Sequence, residues 1–161
     1  MANDMVALAN GTTGAAVASV SFTSINGTYK DLFLVCDALT VNTNARPQIS
    51  LNNNSPAINR VVIQGRSAAQ TTTSGASTQI SSDGYAGAQR VSISCSVLDY
   101  AATDKGKVAI IRNGGATGVS SDQSILTVLQ QNTTSAITSI TISFSSGNIG
   151  AGSFFALYGI R

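Results

Sequence analysis

Apolar and polar residues alternate with a period of two along short stretches of this chain, and that period marks β-strands. Val20 and Phe22 alternate with Ser21 and Thr23, and Ile140, Ile142 and Phe144 alternate with Thr141 and Ser143. Asn26-Gly27 is a turn signal, and Tyr29 to Cys36 after it forms a second, more apolar strand. There Leu32, Leu34 and Cys36 share one side, and Phe33 and Val35 share the other. A strand apolar on both sides belongs in the middle of a sandwich or beneath a neighbouring subunit. Further runs cover Gln48 to Asn52, Arg60 to Gln64, Thr78 to Ser81, Val91 to Leu98, Lys107 to Arg112 and Ser124 to Gln130. As a helix, Ser121 to Gln131 would set Ile125, Val128 and Leu129 on one side, but its β-branched residues suit a strand.

Between these runs lie turn compositions rich in Asn, Gly, Ser and Asp, among them Asn52 to Pro56, Asp83-Gly84, Asp104 to Gly106 and Asn113 to Gly118. Ser67 to Ser77 contains only small and polar residues and predicts an exposed, mobile loop or one draped over another surface. The closing stretch predicts a β-hairpin. Ile137 to Phe144 goes out, Ser145-Ser-Gly-Asn148 reverses the chain, and Gly152 to Ile160 returns with Phe154, Ala156 and Tyr158 in alternation.

Many short strands with such connections predict an all-β domain, a single antiparallel β-sandwich of jelly-roll or Greek-key type with about eight to ten strands. It spans residues 19–161. Residues 1–18 are small and polar with an isolated Met5, Val6 and Leu8, and predict an extended N-terminal arm, disordered alone or tied down across a neighbour.

Composition narrows the function. Charged residues make up 10% of the 161, against roughly 25% in ordinary soluble domains, and the net charge is +2. Such a surface suits a subunit held in an assembly better than a concentrated free protein. The chain has no His, no Trp and no Glu, so the commonest general acid–base and metal-ligating groups are missing. No cofactor or metal site is expected. Cys36 and Cys95 each lie inside a strand-like run and read as buried free thiols; a disulfide needs the two strands side by side.

The remaining chemical candidates are weaker than their structural readings. Asp99 and Asp104 resemble a carboxylate pair in spacing, but a strand end followed by a turn explains both more simply. Asp83 with Gly84 lacks the repeated carboxylates of a calcium loop. Asn113 to Gly118 is glycine-rich without the Lys-Ser/Thr ending of a phosphate loop, so it reads as a hairpin loop. The nine basic residues are spread along the whole chain, which argues against nucleic-acid binding. No stretch is long and apolar enough to span a membrane. Candidate partner contacts are Met5, Val6 and Leu8 on the arm, Arg60 and Arg66 flanking a strand, and Tyr85, the tyrosine expected to be exposed. Tyr29 and Tyr158 are expected to pack at the core margin.

Phe22-Thr-Ser-Ile25, then Tyr29-Lys-Asp-Leu32, and the ending Gly152-Ser-Phe-Phe-Ala-Leu-Tyr-Gly-Ile160 resemble the small β-sandwich virion proteins of tailed bacteriophages. The resemblance covers both ends of the chain and not the middle, so it carries over no functional residue. It implies a non-enzymatic structural protein on the outer surface of a virion, assembled in the host cytoplasm. Its leading form is a head decoration, or cement, protein that contacts the major capsid protein or other virion proteins. Sandwich-type decorations favour a trimer by analogy. The other form the resemblance allows is a head- or tail-fibre adhesin domain that binds host surface glycans.

Overall fold

Strands follow from the period-two alternation almost throughout the computed structural model, which describes residues 4–39, 45–53, 58–66, 69–77, 90–115 and 123–161. These residues form eleven strands: β1 (Met5–Thr12), β2 (Ser19–Phe22), β3 (Asp31–Leu39), β4 (Pro47–Leu51), β5 (Ile58–Arg66) and β6 (Ala69–Ser77), followed by β7 (Arg90–Leu98), β8 (Lys107–Gly115), β9 (Gln123–Gln131), β10 (Ile140–Phe144) and β11 (Phe154–Ile160). They form an antiparallel β-sandwich. One sheet has eight strands in the order β1-β11-β3-β7-β8-β9-β5-β6, and the other has three in the order β2-β10-β4. The long apolar segment at Ser124 to Gln130 is a strand, as its β-branched residues imply.

The core lies between the sheets. Leu32, Leu34, Cys36 and Ala38 of β3 and Val91, Ile93, Cys95 and Val97 of β7 pack with Ile49, Leu51, Ile140, Ile142 and Phe144 of the short sheet. Phe155 and Leu157 of β11 join the same cluster. Each of these large side chains contributes about 1.5–3 kcal/mol on burial. Tyr100, fully buried, closes one end: its hydroxyl donates to the Asn26 carbonyl and accepts from the Tyr29 amide at 3.4 Å.

Both cysteines are buried free thiols on this inner side. Cys36 pairs with Ile93 and Cys95 with Leu34, so the two thiols are diagonal neighbours on adjacent strands. Burial pushes the Cys95 thiol up to about 12, and burial together with the nearby Cys95 pushes Cys36 up as well. The thiolate is the reactive form, so alkylation of the native protein at pH 8 should run on the order of 1,000-fold more slowly than in denaturant. Equal rates measured by mass spectrometry would show the thiols to be open to solvent.

Three expectations are corrected. The closing stretch is not a hairpin: β10 pairs with β2 and β4, whereas β11 pairs with β1 and β3. Residues 145–153 instead carry the chain from one sheet to the other. The reason is a set of remote contacts. Val17 and Ile149 exchange two backbone hydrogen bonds, Gly150 donates to the Leu39 carbonyl, and Thr13 Oγ1 donates to Gly150 O at 2.7 Å. Gly152 takes a left-handed φ of 79° and passes its carbonyl to Arg90. In β11, Phe155 and Leu157 face the core, and Phe154 is 39% exposed on the other side.

The second correction concerns the arm. Residues 5–12 are an edge strand of the large sheet, paired along β11 from Met5–Ile160 to Thr12–Phe154, and Thr13 and Val17 then fasten the next segment to 149–153. The arm therefore lies on its own chain. It is mostly exposed because an edge strand buries one flank of its backbone rather than its side chains. The third is the loop expected at Ser67 to Ser77, where Ala69–Ser77 forms β6 against β5. Backbone pairing at an edge requires no apolar side chains, and the three threonines favour it.

Candidate functional site

The eight-stranded sheet has a second side, and nothing among the described residues covers it. Registers fix its composition. Across β11, β3, β7, β8, β9 and β5, one row reads Tyr158, Phe33, Ser96, Ile110, Val128, Val61, and the adjacent row reads Ala156, Val35, Ser94, Arg112, Leu126, Ile63. Val61, Ile63 and Val128 are 44%, 41% and 39% exposed. These rows exist because Val61-Val62-Ile63, Val108 to Ile111, Ile125-Leu126 and Val128-Leu129 are apolar at consecutive positions, supplying both sides of their strands.

A third row, towards the Leu39, Gly115 and Arg66 ends of β3, β8 and β5, is made of small residues. Ser92, Gly114, Ser124 and Gly65 follow one another across four strands there. Missing side-chain volume hollows the sheet surface into a trough of about 770 Å³. Val35, Ile63 and Leu126 form its apolar walls, and Asp37 and Arg112 are its charged groups. Asp37 is held by Arg90, whose Nη1 lies 2.9 Å from Oδ2, an exposed pair worth about 0–1 kcal/mol. Its volume is in the range of small-molecule sites, but it lies broad and open on the sheet surface. Ser92, Ser94 and Ser124 add hydroxyl groups to its lining.

The sequence-derived contact residues do not gather at one site. Met5 is 54% exposed on the uncovered side of β1, and Val6, half-buried, alternates with it. Leu8 sits at a register shift, packs against the core and lines a smaller groove of about 300 Å³ with Phe22 and Leu157. Arg60 is half-buried in the register of Val62, on the core side, and is not a free cation. Arg66 ends β5, six strands away from β1 in the sheet. Tyr85, with Asp83-Gly84 and Thr78 to Ser81, lies outside the described residues. Tyr29 packs half-buried at the core margin, while Tyr158 is half-buried on the uncovered side.

Asp99 and Asp104 belong to a turn. Asp99 has a left-handed φ of 45°, and its carboxylate takes a hydrogen bond from Lys105 at 2.7 Å, which holds it below the ordinary aspartate range. Lys107, opposite Gln131 on β9, is buried and donates to the carbonyls of Ala102 and Lys105, and burial pushes its amine down. That is a lysine closing a turn, with Asp104 and Asp99 near enough to oppose part of the shift. Asn113 lies buried within β8, not in a loop. Among the described residues no group of three or more acidic or Cys side chains is placed to hold a metal ion, and no helix is long and apolar enough to cross a membrane. The uncovered rows were signalled in the sequence only by Phe33 and Val35. No protein-family model matches this chain, and no curated protein matches it either.

Proposed function

We propose that this chain is a non-enzymatic structural component of a tailed-bacteriophage virion, acting as a decoration protein on the outer capsid surface and working as a homo-oligomer. One observation carries the proposal: a wide, largely apolar sheet side that the described residues leave uncovered, on a protein with very little charge. A free monomer rarely keeps so much apolar surface in water, and a subunit of an assembly does so as a rule. The resemblance of both chain ends to phage virion sandwiches supports the setting. In this role the protein stabilises the shell by burying surface against its neighbours. Particles lacking it should burst at lower temperature or under milder osmotic shock, and added protein should restore them. Unchanged particle stability with lost adsorption would overturn the proposal.

The trough favours a second reading, a fibre adhesin that holds a host glycan. Its serine hydroxyls and the Asp37 and Arg112 groups suit sugar hydroxyls, and Val35 and Leu126 suit the apolar side of a sugar ring. Copy number separates the two readings: it follows the number of capsomers for a decoration and the number of fibres for an adhesin.

A further inference from the structure

We infer that the uncovered side of the eight-stranded sheet is a self-association surface, where a second copy of this chain packs face to face about a twofold axis. This goes beyond the virion proposal and is tested on the purified protein alone. Size is the first support. From β11 to β5 there are five inter-strand steps of about 4.8 Å, and with the row of Asp31 and Ile160 added the four rows span three two-residue steps of about 6.7 Å, so the side measures about 24 by 20 Å between backbone centres. Counting the side chains that rise from it and those at its margins brings the accessible area towards the roughly 800 Å² per partner that stable pairs bury.

Charge is the second. Asp37 is neutralised by Arg90 on the same surface, and Asp31 and Arg112 add one charge of each sign, so two copies meet without net repulsion. Relief is the third. Ser94 and Ser96 make a furrow along β7, and Arg112 and Ile110 make the ridge beside it on β8. An axis parallel to the strands between β7 and β8 lays each copy's ridge in the other's furrow and sets Val128 opposite Phe33. Matching of a surface to itself under rotation is what an isologous pair requires, and apolar sheet sides about 10 Å apart are the ordinary packing of two sheets.

The test is sedimentation of the full chain over a range of concentrations, beside Val128→Asp, Val61→Lys and the control Thr134→Asp, an exposed residue before β10. The exposed positions of Val61 and Val128 keep folding intact, which a melt at low concentration checks. The expected result is a dimer for the unaltered chain and for Thr134→Asp, with at least about a 100-fold rise in dissociation constant for each of the two face variants, since each buries an unpaired charge. A monomeric unaltered chain overturns the inference, as does a dimer or trimer that both face variants leave unchanged. A trimer broken by the face variants overturns the twofold pairing. A monomer would also remove the homo-oligomer from the virion proposal, whose decoration role is decided separately by particle stability.

Discussion

Ending the chain at Gly152 abolishes cooperative folding: the expected product is insoluble or expanded, with no melting transition by circular dichroism. β11 is an interior strand, hydrogen-bonded to β1 on one flank and to β3 on the other. Its loss strips the backbone partners from both. It also removes Phe155 and Leu157 from the core, about 3–6 kcal/mol of burial for those two side chains alone. Ser153 goes with it, and Ser153 Oγ accepts the Leu39 amide at 2.9 Å while its own amide donates to Thr13. Total stabilities of single domains are about 5–15 kcal/mol, so these losses together exceed what such a fold can spare. A truncated chain that stays soluble and melts in one sharp step would show that the sheet closes without its penultimate strand.

Gly159→Val is the second large effect, and its sign opposes propensity. Valine is favoured over glycine in strands by up to about 1 kcal/mol, so the substitution should stabilise if local preference governed. A side chain at residue 159, however, places Cβ 2.4 Å from Cγ of Tyr29 and 2.5 and 2.7 Å from its Cδ atoms. The ring has little room to retreat, because it packs on the core, the Tyr29 amide donates to Tyr100 Oη, and the Arg161 guanidinium lies 5.7 Å over its face. The expected loss is about 3 kcal/mol, at the upper end for an overpacked site. In a Tyr29→Ala background the same substitution should be neutral or stabilising, measured by denaturant titration of all four chains. Equal destabilisation in both backgrounds would place the clash elsewhere.

Strand existence was legible along most of the chain because alternation is a local property, written within five to nine residues. Pairing was not. Ser145 to Asn148 has the composition of a tight reversal, yet β10 and β11 part to different sheets because Thr13, Val17 and Leu39 hold residues 149–153, and no local pattern encodes contacts over such separations. β6 escaped notice for another reason: an edge strand such as Ala69–Ser77 is held by its backbone, which sequence does not display. The site was legible only in part. Phe33 and Val35 pointed to a strand covered on both sides, but the same signal in Val61 to Ile63 and Val108 to Ile111 became visible only when registers aligned those residues into rows.

The pairing of Met5 with Ile160 also bears on how the protein reaches its structure. The two strands that close one end of the large sheet come from opposite ends of the sequence, and the entropy of joining residues about 150 apart is on the order of 4–5 kcal/mol. Until β11 is available, β3 has an empty flank and β1 has no sheet to join, so a nascent chain has nowhere to put its first strand. Such long-range topology makes for slow folding on the scale of small domains and exposes unpaired edges in the interval. Completion of this sheet therefore waits until residues 154–160 have been made.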